Sequence, residues 1–137
     1  VGDGASGREQ LCYQSTDGGL PLKLIFEHNE VSYSYFLFSD GRRWIGEEYC
    51  AFHAGLSKTT SAHGGLKLGL TEPETDSILG KPTALNQNQR RYEFLTHKII
   101  RRPPPGETED WEISGWITVG FSEHHANYIS VTRTEVW

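Results

Sequence analysis

Toward its C-terminus the chain alternates side chain by side chain. Ile113, Gly115, Ile117, Val119 and Phe121 share one parity, and Glu112, Ser114, Trp116 and Thr118 share the other. After a turn through Ser122 to Asn127 the beat returns, with Ile129, Val131 and Trp137 opposite Tyr128, Ser130, Thr132 and Thr134. A period of two belongs to β-strands, because successive side chains leave a strand on opposite faces and no helix can bury such a stripe. The Ser/Thr parity predicts a solvent-wet face. Tyr128 to Trp137 also reads as a sheet edge, which could pair with a second copy of the chain across a two-fold axis as a homodimer.

The rest of the sequence is punctuated in the same style. Leu22 to His28 and Val31 to Phe38 flank Asn29-Glu30, a tight hairpin, and Ser39-Asp40-Gly41-Arg42 supplies a second turn before Arg43-Trp44-Ile45 to Tyr49. Ala51 to Gly65 reads as a long surface loop of the kind that is often functional, followed by a short strand at Leu66 to Leu70. Thr71-Glu72-Pro73-Glu74 fits a capping box, predicting a short helix to about Leu79 that Gly80 stops. Arg91 to Ile100 is a strand of high β-propensity, and the three prolines of Arg101 to Glu107 make a stiff connection. The predicted fold is therefore all-β: an antiparallel β-sandwich or small closed barrel of about eight strands with one short helix near 72–79. At 137 residues the chain is one domain, with residues 1–10 expected to be flexible.

Charge and composition exclude several classes. No apolar run approaches the roughly 18 residues of a membrane span, and a net charge of -5 argues against a general grip on nucleic-acid backbone. The chain has no Met and opens on Val1-Gly2-Asp3-Gly4, which is expected of a protein whose secretory leader has been removed. Cys12 and Cys50, an even count in a small domain, are expected to form one disulfide, in keeping with an extracellular setting.

Candidate chemistry is sparse. Six histidines are present, but neither His-Glu-x-x-His nor paired Cys-x-x-Cys spacing occurs. The best metal candidate is Glu123-His124-His125, joined by His53 or His63, and adjacent strand residues point to opposite faces. No metal and no cofactor is expected. There is no Gly-x-Ser-x-Gly elbow and no glycine-rich phosphate cradle. A hydrolase acting on RNA could use Glu93 as base, His124 as acid and Arg101 on the phosphate. In order, Glu93, Arg101 and His124 or His125, preceded by His53 or His63, are similar to the His, Glu, Arg, His series of small fungal guanyl-specific ribonucleases and ribotoxins. The interval from Glu93 to Arg101 is short for that pattern, and Arg91 and Glu93 read equally well as solvated charges on one strand face.

Aromatic residues beside hydrogen-bonding groups are the remaining resource. Trp44 lies beside Arg43, Trp116 falls on the polar parity, and Tyr128 follows Asn127, with His124 nearby in sequence. Sugars are recognised by such pairings, in which ring C–H groups pack on an aromatic face while hydroxyls meet planar polar side chains. The plainer reading of each aromatic is core packing. The expected function is that of a small secreted, non-enzymatic recognition protein with carbohydrate as the leading ligand. The alternatives are an effector, toxin or defence protein that binds a host protein, and the ribonuclease above.

Overall fold

The structure, a computed structural model, describes residues 2–3, 8–29, 31–39, 50–61, 63–86, 88–102 and 107–136. The described residues are all-β with one short α-helix, as the alternation and the capping box predict. Strand β2 (Arg8–Asp17) turns into β3 (Leu20–His28) through Gly18 and Gly19, whose φ values of 60° and 85° suit a two-residue hairpin turn. β3 turns into β4 (Ser32–Phe38) at Asn29, whose side-chain oxygen accepts from the Val31 and Ser32 N–H groups at 3.0 and 2.9 Å. The predicted hairpin stands. The strand expected from Arg43 lies outside the described residues.

Residues 2–3 and 8–10 of the N-terminal segment run along the sheet. β1 (Gly2–Asp3) and β5 (Ala51–Phe52) both lie along β2, the first antiparallel at Glu9 and Arg8, the second parallel at Tyr13 and Gln14. Just before β5, Cys50 is bonded to Cys12. The disulfide read from the cysteine count is thus formed.

Further on, β6 (Ala84–Asn86) pairs with β7 (Gln89–Arg102), β7 with β8 (Glu107–Ser122), and β8 with β9 (His125–Val136). The sheet runs β1-β2-β3-β4-β9-β8-β7-β6, and its end strands do not pair with each other among the described residues. It is the open, sandwich-like alternative and not a closed barrel, with a covering layer made by residues 53–61 and 64–70 and helix α1 (Glu72–Leu79). Here β9 lies between β4 and β8, paired on both sides. The reading of Tyr128 to Trp137 as a free edge is therefore corrected: pairing to β4 consumes the ladder groups that a second copy would need.

Two further expectations change. Leu66 to Leu70 is not a strand, since only Lys67 forms a bridge, to Ser61, and Gly69 sits at φ 88°. Its alternate leucines nevertheless pack down onto the sheet, and Gly69 N–H and Ala126 N–H tie the segment to β9 through the Ala126 and Leu70 carbonyls, each at 2.8 Å. The Ser/Thr parity of β9 is also drier than predicted, with Ser130 and Thr132 buried. Both are short side chains on a central strand, overtopped by the residues paired beside them, Phe36 next to Ser130 and Trp116 next to Thr132.

Candidate functional site: an apolar cavity between sheet and helix

One face of the sheet carries Leu22, Leu37, Val119 and Ile129, all essentially buried beneath Leu56, Leu66, Leu68 and Leu70 of the covering layer. Helix α1 completes that layer. Thr71 Oγ1 accepts from the Glu74 N–H while the Glu74 carboxylate accepts from the Thr71 N–H, so the predicted capping box is present. Thr75, fully buried, donates its hydroxyl to the Thr71 carbonyl at 2.8 Å. On the sheet side, Asp76 accepts from the Tyr92 hydroxyl at 2.6 Å and pairs with Arg90. Burial, then the Asp76 carboxylate, pushes the Tyr92 phenol well above its ordinary pKa. At the helix start, the Glu72 backbone N–H and, with less weight, His124 at 3.2 Å hold the Glu72 carboxyl below its usual range. The Thr71 backbone and hydroxyl do the same for Glu74.

The covering layer does not fill the space it spans. A cavity of about 600 Å³ lies between sheet and cover, within the range of small-molecule sites. Its floor is Leu24 and Phe26 of β3, Tyr35 and Leu37 of β4, Ile129 and Val131 of β9 and Ile117 of β8. Thr60, Ser61, Gly64 and Leu66 roof it, and Ile78 and Leu79 of α1 form a wall. Tyr35 is the one ionisable side chain among these lining residues, and burial raises its pKa. Phe26 remains 42% exposed and lies against Tyr13 and Tyr35 at 6.3 and 6.4 Å between ring centroids. Such a wall can hold an apolar body by burial.

The residues singled out in sequence lie elsewhere. Trp116 is half-buried on the opposite face with the Arg91 guanidinium 4.8 Å over its ring, and Arg91 Nε approaches Glu93 to 2.9 Å without a hydrogen-bonding angle. These three, with Phe94, Leu95, Ser114 and Gly115, border a shallow depression of about 420 Å³. Tyr128 is buried against Phe38, with ring centroids 6.1 Å apart, and is paired four residues along β8 from Trp116, a separation of about 14 Å along a strand. Asn127 gives its carbonyl to the Ser39 N–H, and His124 caps the hairpin tip at positive φ beside Glu72. Arg43 and Trp44 lie outside the described residues.

Glu93 and Arg101 stand eight residues apart on the one strand β7, roughly 27 Å along it, with His124 beyond the opposite end of the ladder. The structure does not bring these three together. His125 Nδ1 turns to the Glu123 carbonyl at 2.9 Å, and no group of three or more metal-ligating side chains forms among the described residues. The cavity escaped sequence reasoning because its lining comes from several separate segments. The nearest signals were the long loop after Ala51 and the apolar hairpin parity of Leu22, Leu24 and Phe26.

No family model, no curated protein and no solved structure matches the chain. No helix among the described residues is long and apolar enough to cross a membrane.

Proposed function

We propose that this is a non-enzymatic binding protein whose ligand is a small, mainly apolar molecule held between the sheet and helix α1. The observation that carries the reading is the cavity of about 600 Å³ walled by aliphatic and aromatic side chains. Filling it removes apolar surface from water at roughly 25 cal/mol per Å². The Cys12–Cys50 disulfide supports placing the protein in an oxidising, extracellular compartment. The test is titration with N-phenyl-1-naphthylamine, a neutral dye that brightens in dry sites. The wild type should show saturable emission, and Val131→Trp, which fills the cavity, should lose it while keeping its circular-dichroism spectrum. A wild type that leaves the dye dark would refute the reading.

Carbohydrate recognition is a second reading, favoured by the half-exposed Trp116 with Arg91 and Glu93 around it. It ranks below the cavity because the guanidinium already occupies one face of the indole. A glycan array probed with wild type and Trp116→Ala decides it: specific binding lost in the folded variant supports a lectin, and a blank array removes the reading.

A further inference from the structure

The space under the helix does not end at Phe26. A second cavity of about 290 Å³ adjoins it, sharing Leu24, Phe26 and Thr60 and adding Tyr13, His53, Gly55 and Leu56. The two differ in chemistry. The larger is mainly apolar, whereas the smaller collects hydrogen-bond donors from β2 and from the start of the covering layer.

His53 is the best defined of these. Its backbone N–H bonds to the Gln14 carbonyl at 2.9 Å, continuing the pairing of β5 with β2, and its ring stands edge-on to Tyr13 at 5.9 Å and 86°. Nδ1 lies 3.0 Å from the Gly55 N–H. A backbone amide can only donate, so Nδ1 is the bare nitrogen and the proton of the neutral ring sits on Nε2. The ring therefore offers an Nε2–H donor. Thr60 Oγ1 accepts from the Ser57 N–H at 2.9 Å, which leaves its own hydrogen to donate, and the Tyr13 phenol lines the same wall.

A mainly apolar cleft ending in several donors selects an amphipathic molecule with an oxygen acceptor at one end. Among acceptors, a carboxylate gains most, because its two oxygens accept several hydrogen bonds at once and charge-assisted bonds are the strong ones. Building on the cavity proposed above, we infer that the ligand is a single-chain carboxylic acid. Its hydrocarbon lies under α1 against Ile78 and Val131, and its carboxylate lies at His53, Tyr13 and Thr60. Nothing in this arrangement breaks or forms a covalent bond.

The test displaces N-phenyl-1-naphthylamine from the intact, oxidised protein with dodecanoate, dodecanol and dodecyltrimethylammonium, which share a chain and differ in head group. Dodecanoate should displace the dye at about tenfold lower concentration than dodecanol, the expected worth of a charged hydrogen bond, and the ammonium should be weakest. His53→Ala should erase that preference, weakening dodecanoate far more than dodecanol, with circular dichroism verifying the fold. Tyr13→Phe, which removes one oxygen only, should reduce the preference in part. Equal displacement by acid and alcohol in the wild type, or a preference that survives both substitutions, would overturn the head-group assignment and leave the apolar cavity standing. Failure of the dye and of every dodecyl compound to bind would overturn both.

Discussion

On one face of the sheet, leucines of the strands meet leucines of a segment that is not a strand, and the fit leaves a cavity of about 600 Å³. On the other, Ile25, Phe38 and Tyr128 form a smaller cluster with Phe36 and Cys12, whose bond to Cys50 pins that end of the sheet. The difference lies in what does the covering. The first face has a cover held at a few polar points, Asp76 to Arg90 and Tyr92, and Gly69 and Leu70 to Ala126. A cover tethered at separate points can span a space without filling it, whereas Ile25, Phe38 and Tyr128 pack upon one another beside the disulfide.

The largest effect is expected at the fastening. Replacing Cys12 and Cys50 by Ser together frees a span of 38 residues and should lower stability by about 4 kcal/mol, measured by urea unfolding against the oxidised wild type. Next come paired truncations on the cavity face. Leu22→Ala, at a site 1% exposed and away from the cavity, should cost about 3 kcal/mol, and Leu24→Ala, whose side chain already borders empty space, about 1 kcal/mol. Equal losses at the two would show that the cavity closes up in solution.

The tether comes third. Tyr92→Phe removes the hydroxyl from Asp76 and should cost about 1.5 kcal/mol by thermal unfolding. Its pH dependence has a definite sign. Because the folded phenol has the raised pKa, its contribution is complete below about pH 10 and falls as pH rises beyond that, and the Phe variant should lack that alkaline loss. Glu72 and Glu74 behave oppositely. Their lowered values mean that the helix-cap contribution is present above the ordinary value of 4.5 and disappears as pH falls below it, a loss that Thr71→Ala should blunt. The smallest effect lies on the other face, where Arg91→Ala should cost under about 1 kcal/mol yet alter Trp116 fluorescence, since it uncovers the indole.

The elements legible in sequence are those specified by local chemistry. Asn29 takes two amides of its own turn, Thr71 and Glu74 cap each other, and the parity of Ile113 to Phe121 matches the buried side of β8. What escaped depends on neighbours distant in the chain. Alternating leucines at 66, 68 and 70 look like a strand, but an extended segment lying on a sheet buries alternate residues equally well. Ser130 and Thr132 look wet until Phe36 and Trp116 are placed beside them. β9 looks terminal because it is last in sequence, yet its pairing with β4 puts it in the middle of the sheet. The candidate site was hidden for the same reason, being built across β3, β4, β8, β9, α1 and Thr60, Ser61, Gly64 and Leu66.

The most direct measurement is methyl NMR of protein labelled at Ile, Leu and Val, titrated with N-phenyl-1-naphthylamine. Signals of Leu24, Ile78, Ile117 and Val131 are expected to shift together and saturate at one equivalent, while Ile25 on the opposite face stays still. Shifts centred on Ile25, or a spectrum that the dye leaves unchanged, would contradict a ligand site between the sheet and helix α1.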